Sequence, residues 1–235
     1  NPTMAIMMSL SMNIRVYYWA LILCSIYCSG QKNACHQIDS GTCSLERIPL
    51  SQGVHTPLSR PVVFYHEKNQ VPRNIEFTAL VSKTALLQRL GSEIVKLTSS
   101  NAYSDGEVEL TLSNYIESFV ETENIDSCSS TSNETLYLFG GNYSPGWLSL
   151  IDEYHLPNCR TCHDQDNAAV SFGVGGYLSG VSWHRHGAGF SEVFHGSKRW
   201  FLLPPDSSLT MDDFNSNQSV ASWVINDLSQ IDLVK

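Results

Sequence analysis

Positively charged residues are scarce in this sequence. The 235-residue chain has 14 Lys and Arg residues against 23 Asp and Glu residues, a formal net charge of −9 and a pI near 5.3. Proteins that hold nucleic acid through its phosphates need a basic face. The composition therefore argues against a nucleic-acid partner. With 42% apolar residues, the chain is also too hydrophobic for an intrinsically disordered protein, and its length suits one domain.

Long apolar runs are also rare. The strongest one, residues 16–28, contains 13 uncharged residues and follows Arg15. A membrane helix needs about 20 apolar residues, which makes a membrane anchor the less favoured interpretation. A basic residue, a short apolar core and small residues before Gln31 are typical of a signal peptide. We therefore predict a signal peptide over residues 1–30, no membrane span after its cleavage, and entry into the secretory pathway.

The cysteines fit an oxidising compartment. Two of the seven lie in the predicted signal peptide and five follow it. Five cysteines predict two disulfides and one free thiol. Cys35 with Cys43 and Cys159 with Cys162 are candidate pairs, although their spacing leaves the connectivity open. Because Cys159 and Cys162 form a C-x-x-C motif, a lumenal thiol oxidoreductase is one functional alternative.

Three N-x-[ST] sequons are present, at Asn133, Asn142 and Asn217. Such sequons are N-glycosylation acceptors in secretory proteins and usually lie at the surface. We therefore predict that the protein is a glycoprotein.

Periodicity and turn residues predict an irregular lead-in over residues 31–60 and a single domain over 61–235. Helices are expected where Ser and Pro begin an apolar 3.6-residue pattern, over residues 83–90, 112–120, 145–154 and 220–228. Strands are expected over residues 60–65, 93–98 and 135–139, and strand-like, glycine-punctuated runs continue to Leu203. The predicted fold is mainly β with flanking helices.

His184 and His186 are two residues apart. On a strand both imidazoles would point to one face, where they could bind one metal ion. For an isolated His-x-His, the simpler alternative is that both histidines face solvent at alternate positions of a strand. A glycine-rich turn, a strand and a second apolar strand over residues 200–203 follow, which is how a double-stranded β-helix builds a metal pocket. Glu192 could also point inward as a secondary ligand.

The segment Gly196-Ser197-Lys198-Arg199, followed by an apolar run and Pro-Pro, resembles the Jumonji C (JmjC) domain family. The resemblance covers most of the chain after the signal peptide, and it extends to a member of the family that is located in the lumen. It implies a cupin-like jelly-roll barrel that binds Fe(II) and 2-oxoglutarate. It further implies that His184 is the first iron ligand and that Lys198 binds the distal carboxylate of 2-oxoglutarate.

Two departures from the family pattern shape the functional prediction. His186 stands where the family has a carboxylate ligand. With His184 and the family's distal histidine, it would make a set of three imidazole ligands, which suits zinc, copper or iron. The family's distal histidine lies on a later strand, whereas the last histidine of this sequence is His195, beside a turn. The barrel is therefore expected to be incomplete within these residues.

The two departures predict a degenerate metal site and a regulatory or scaffolding role, acting on protein partners. The predicted signal peptide and the resemblance to a lumenal family member predict a location in the endoplasmic reticulum lumen. Secretion is the alternative location. We assign no catalytic residue, and the cofactor of a degenerate site would be another divalent metal or none. An Fe(II)/2-oxoglutarate-dependent dioxygenase that hydroxylates a protein substrate is the alternative function.

Overall fold

The computed structural model describes residues 5–12, 45–52, 61–99, 108–120, 136–140, 142–156, 168–176, 179–184, 189–202, 213–215 and 218–227. Several predicted features lie outside these residues. They are His186, Asn133, Asn217 and the four candidate disulfide cysteines, Cys35, Cys43, Cys159 and Cys162.

The described residues form a sheet-rich fold. Its strands are β1 (Ala5–Met12), β2 (Glu46–Pro49), β3 (Val62–Tyr65), β4 (Ile94–Ser99), β5 (Val108–Thr111), β6 (Leu136–Phe139), β7 (Ala168–Gly175) and β8 (Gly189–His195). Six of them form a sheet in the order β5-β4-β6-β7-β1-β8, with antiparallel neighbours throughout. The predicted class, mainly β with flanking helices, is confirmed, and among the described strands the sheet is not closed into a barrel.

Two strands lie where none was expected. β2 falls within the stretch predicted to be irregular and pairs in parallel with β3. β1 lies within the predicted signal peptide, yet it is an interior strand of the six-stranded sheet. Its sequence alternates larger apolar residues with mostly smaller ones, which is the two-residue period of a strand. The signal-peptide prediction rests on Arg15 and the apolar run over residues 16–28, and it gave no indication that residues 5–12 pair in a sheet.

One predicted strand is absent. The apolar run from Trp200 was expected to form a strand to Leu203, but residues 197–202 have irregular backbone. Trp200 is 37% exposed, and Phe201 packs against the ring of Trp223. Side-chain packing against a neighbouring helix therefore takes the place of strand pairing in this run.

Within the described ranges, five α-helices flank the sheet, and a short 3-10 helix (Leu50–Gln52) follows β2. The α-helices are α1 (Ile75–Leu80), α2 (Lys83–Leu90), α3 (Leu112–Tyr115, continued by a π-helical turn over Ile116–Val120), α4 (Pro145–Ile151) and α5 (Val220–Asn226). The predicted cap is confirmed at α2, where the Ser82 hydroxyl accepts a hydrogen bond from the Ala85 amide. Ser144 and Ser219 cap α4 and α5 in the same way. A serine oxygen at this position satisfies one of the amides that a helix start leaves unpaired.

The main core lies between the sheet and helices α1 to α4. Its fully buried side chains include Phe77, Leu86, Leu90, Val95, Leu97, Leu112, Tyr115, Leu138, Trp147 and Leu150. One member of the predicted stripe on α3 is different, because Phe119 is 36% exposed. The π-helical turn adds a residue to the repeat, so the position seven residues after Leu112 rotates away from the core.

Candidate functional site

His184 ends a described segment, residues 179–184, that is not a strand. The strand on which the His184–His186 prediction rested is therefore absent from this segment. The His184 Nδ1 atom lies 2.7 Å from the Ser182 carbonyl oxygen. Because a carbonyl only accepts, Nδ1 carries the hydrogen, and Nε2 is the basic nitrogen of the neutral ring. Metal-bound histidines usually have this arrangement, so the His184 side chain suits a metal ligand.

Glu192, the secondary ligand candidate, binds other protein groups. Its Oε2 atom accepts a hydrogen bond from the Tyr154 hydroxyl at 2.8 Å and one from the Asn74 side-chain amide at 3.0 Å. Burial raises the pKa of Tyr154, and the nearby Glu192 carboxylate raises it further. Tyr154 therefore stays a hydrogen-bond donor to Glu192 across the physiological pH range. The carboxylate ties β8 to the segment that follows α4.

Asn74 is the centre of this contact and is 2% exposed. Its Oδ1 atom accepts from the His155 amide at 3.0 Å, and its Nδ2 atom donates to the His155 carbonyl at 3.0 Å as well as to Glu192. The amide thus uses both donor hydrogens and its oxygen. Sequence reasoning missed Asn74, because it gives no local signal beyond a polar residue before a short helix.

A cavity of about 390 Å³ lies next to this cluster. Arg73, Asn74, Glu153 and His155 line it together with apolar residues of α1. Of the predicted site residues that the structure describes, none lines it. The cavity therefore does not identify the JmjC-type site.

His195 anchors the end of β8. Its Nε2 atom lies 2.8 Å from the Thr78 carbonyl oxygen in α1, so Nε2 carries a hydrogen and donates it. Among the described residues no three His, Cys, Asp or Glu side chains are grouped so that they could hold a metal ion. The structure brings Glu192 and His195 to α1 and its flanks, and it does not join them to His184 as a ligand set.

Lys198 is half-buried rather than the ordinary exposed turn lysine that its sequence position also allowed. It follows Gly196, which has a φ of 76°, a backbone conformation that favours glycine. Its Nζ atom lies 3.9 Å from the centre of the Trp200 ring. Burial lowers the pKa of Lys198 to about 7. A carboxylate bound at this ammonium would favour the charged form.

This lowered pKa predicts how Lys198 affects stability. Below pH 7 the folded chain must hold a charged, partly buried ammonium, which costs free energy. Between about pH 7 and the ordinary lysine pKa near 10.4, the unfolded chain binds more protons than the folded one, so the cost shrinks as pH rises. We expect Lys198→Met to raise the free energy of unfolding at pH 6.5 by on the order of 1–3 kcal/mol. Urea titrations at pH 6.5 and 9.5 should show this gain diminishing with pH.

Lys68→Met, which removes an exposed lysine, is the control and should show no such dependence. Parallel pH profiles for Lys198→Met and the unsubstituted chain would contradict the prediction.

An aromatic cluster holds the His184 and Lys198 segments together. The ring centres of Trp183 and Phe201 lie 5.2 and 4.9 Å from that of Trp223 in α5. The ring centre of Phe214 lies 4.2 Å from that of Trp183, and the two ring planes are tilted by 32°. Trp183 directly precedes His184, and Phe201 lies three residues after Lys198. Both predicted site segments are therefore positioned by one helix, a contact that sequence reasoning missed because its members are up to 40 residues apart.

The Asn142 side chain takes part in backbone-like pairing. Its Oδ1 atom accepts from the Lys96 amide at 2.9 Å, and its Nδ2 atom donates to the Gly140 carbonyl at 2.7 Å and to the Lys96 carbonyl at 3.3 Å. An N-linked glycan replaces one of the two Nδ2 hydrogens. These bonds therefore favour an unmodified Asn142, in contrast to the glycan expected from the sequon.

Two substitutions separate the sequon from the fold. Ser144→Asp removes the sequon and keeps a good helix cap. Because we expect Asn142 to be unmodified, the secreted Ser144→Asp chain should have the same apparent mass on a denaturing gel as the unsubstituted chain. Asn142→Asp removes the donor and should lower the free energy of unfolding by about 1–2 kcal/mol. A faster-migrating Ser144→Asp chain, matched by glycosidase treatment of the unsubstituted one, would show that Asn142 carries a glycan.

In the part of the chain that the structure describes, none of the helices has the length and apolar character needed to cross a membrane.

Comparison with known proteins identifies relatives of one kind. The chain is 36% identical over 187 residues to JmjC domain-containing protein 8 of Mus musculus, covering 78% of this chain and 65% of that protein. It is 38% identical over 152 residues to the protein of the same name in Rattus norvegicus and 37% identical over 151 residues to that of Homo sapiens. Each of those two matches covers 54% of the relative and about 65% of this chain.

The chain thus spans between about half and two thirds of the length of these relatives. No family model matches it, and no solved structure matches it. The three relatives share the JmjC designation that the motif around Lys198 indicated. They confirm that resemblance: over 64–78% of its length, this chain is similar to proteins that are named for a JmjC domain.

Proposed function

We propose that the protein is a JmjC-family member with a degenerate metal site and a regulatory or scaffolding role in the secretory pathway, most naturally in the endoplasmic reticulum lumen. The observation that carries the proposal is the engagement of Glu192. The Glu192 carboxylate accepts hydrogen bonds from Tyr154 and Asn74, so it serves the packing of β8. A histidine, His186, stands at the position of the family's carboxylate ligand.

The fit of the described residues to the family's Fe(II) and 2-oxoglutarate is partial. His184 suits one metal ligand, because its Nδ1 hydrogen is donated to Ser182 and Nε2 is basic. Lys198 suits a carboxylate, since a bound anion would offset the burial of its ammonium. Glu192 does not fit as the second ligand. The described residues thus support single contacts to these cofactors and not a complete ligand set, and they support no catalytic step.

Fe(II)/2-oxoglutarate-dependent hydroxylation of a protein substrate is the second candidate. The His184 tautomer and the half-buried Lys198 favour it, because both are what such a site would require of these two residues. In that case His184 would bind the metal, Lys198 would hold the distal carboxylate of 2-oxoglutarate, and the metal would supply the oxygen chemistry. Further ligands would have to come from His186 and from residues outside those described.

Metal content and turnover, measured together, decide between these candidates. The full chain is purified after secretion, loaded with Fe(II) under nitrogen, and assayed for bound metal and for succinate formed from 2-oxoglutarate. The proposal expects substoichiometric iron, no succinate above background, and an unchanged unfolding temperature after His184→Ala. His66→Ala, which removes an exposed imidazole in the loop after β3, is the matched control.

Stoichiometric iron whose binding and turnover are lost in His184→Ala, and kept in His66→Ala, would establish the hydroxylase instead. Metal content is read independently of activity, so a folded chain that binds iron without turnover would overturn the degenerate-site proposal as well.

A further inference from the structure

Strand β1 lies in the gap between β7 and β8 and pairs with the edges of both strands. Its eight residues pair with β7, from Ala5 opposite Gly175 to Met12 opposite Ala168. Its other edge pairs with β8, from Ile6 opposite His195 to Ser11 opposite Gly189. Both pairings are antiparallel. Among the strands that the structure describes, β8 therefore joins the sheet only through β1.

The pairing register between β1 and its neighbours favours a particular pattern of residues in the strand that lies between them. The apolar residues at alternate β1 positions stand opposite β7 residues that belong to or pack against the core. These pairs are Ile6 with Val174, Met8 with Phe172 and Leu10 with Val170. Phe172 and Val174 are buried. Between Met8 and Leu10, Ser9 stands opposite Ser171 on one side and Ser191 on the other. The gap thus matches an uncharged strand with apolar residues at every second position and mostly small residues between them, the exception being Met7, which stands opposite Gly173 and Val193.

The occupant of this gap lies within the predicted signal peptide. Cleavage after Gly30 would remove β1 and leave the facing edges of β7 and β8 unpaired. Unpaired backbone amides and carbonyls on a strand edge are a template for another extended chain. A gap with two such edges offers hydrogen bonds on both sides of an incoming strand, which is more than a single sheet edge offers.

We propose that the gap between β7 and β8 is a strand-acceptor site. It binds an extended, uncharged segment of a partner protein, about eight residues long, with apolar residues at alternate positions and antiparallel to both strands. β1 is the segment that occupies it in the described structure. Main-chain hydrogen bonds supply the affinity, and the apolar positions opposite Val170, Phe172 and Val174 supply the selectivity. This site is separate in function from the JmjC-type metal site and needs no metal.

A synthetic peptide tests the site. The probe is a labelled peptide with the sequence of residues 5–12, and the control peptide has proline in place of the serine at position 9, which removes a ladder donor. The secreted chain is first characterised by mass spectrometry of its N-terminus. A chain without residues 5–12 should bind the probe saturably and bind the proline peptide at least about tenfold more weakly. Hydrogen exchange should show new protection of the β7 and β8 amides.

A chain that retains residues 5–12 is tested with a second variant. The unsubstituted chain should then bind little probe, because β1 fills the gap, whereas the Ser9→Pro chain should bind it. Equal binding of the two peptides, no binding to the cleaved or Ser9→Pro chain, or protection at amides away from β7 and β8 would overturn the proposal. Because the readout is peptide binding without metal, its failure leaves the metal-site experiment unaffected.

Discussion

Replacing Trp223 by alanine should destabilise the protein and loosen the packing of the segments that contain His184 and Lys198. Trp223 is 4% exposed and contacts Trp183, Phe201 and Phe214. Removing a buried tryptophan leaves a cavity and exposes its neighbours, at a typical cost of about 3–5 kcal/mol. That cost is a large part of an ordinary domain stability of about 5–15 kcal/mol. Urea unfolding followed by fluorescence and circular dichroism measures it.

The same variant should change the protease sensitivity of the site segments. Because Phe201 loses its partner, trypsin should cut after Lys198 and Arg199 faster in Trp223→Ala than in the unsubstituted chain. Trp200→Ala is the matched control, since Trp200 is 37% exposed and its loss should cost about 1 kcal/mol or less. Equal destabilisation by the two tryptophan variants, with unchanged cleavage after residues 198 and 199, would refute the role given to the aromatic cluster.

Asn74→Asp should be the most pH-sensitive substitution near the Glu192 contact. It turns the Nδ2 donor into an acceptor that faces the Glu192 carboxylate and the His155 carbonyl, both now 3.0 Å from Nδ2. Two like charges in a buried position repel, and the acceptors lose a partner. We expect a loss of about 2–4 kcal/mol in the free energy of unfolding at pH 7.5.

The sign of its pH dependence follows from the same pair. In the folded variant, repulsion favours a shared proton between the two carboxyl groups, so the folded chain binds a proton at a higher pH than the unfolded chain does. The penalty is therefore full at pH 7.5 and shrinks as the pH falls towards 5. Unfolding curves at both values test this expectation. Asn74→Ala is the control, because it deletes the hydrogen bonds without adding a charge and should show no such recovery.

The double variant Asn74→Asp with Glu192→Gln separates this contact from a general loss of packing. A glutamine at position 192 can donate to the introduced carboxylate and still accept from Tyr154. Part of the stability lost in the single variant should therefore return, which appears as a coupling energy in a double-mutant cycle. Strictly additive losses would mean that Asn74 and Glu192 do not interact as described.

The sequence by itself determined what depends on a few neighbouring residues. The caps at Ser82 and Ser144 each act within three residues of the chain, so the helix starts could be predicted from local chemistry. The strands β4, β6 and β8 follow from apolar runs bounded by polar or glycine residues. The motif around Lys198 indicated the resemblance to the JmjC family, because it is a local pattern of residue types at fixed spacing.

Only the tertiary structure decided which distant groups meet. Glu192 finds Asn74, 118 residues away, and His195 finds Thr78, 117 residues away, because sheet topology brings β8 to α1. The half-burial of Lys198 depends on neighbours that no local pattern specifies. The position of β1 was missed for a related reason. A short alternating segment carries no local sign of its sheet partners, and only the edges of β7 and β8 show that residues 5–12 pair.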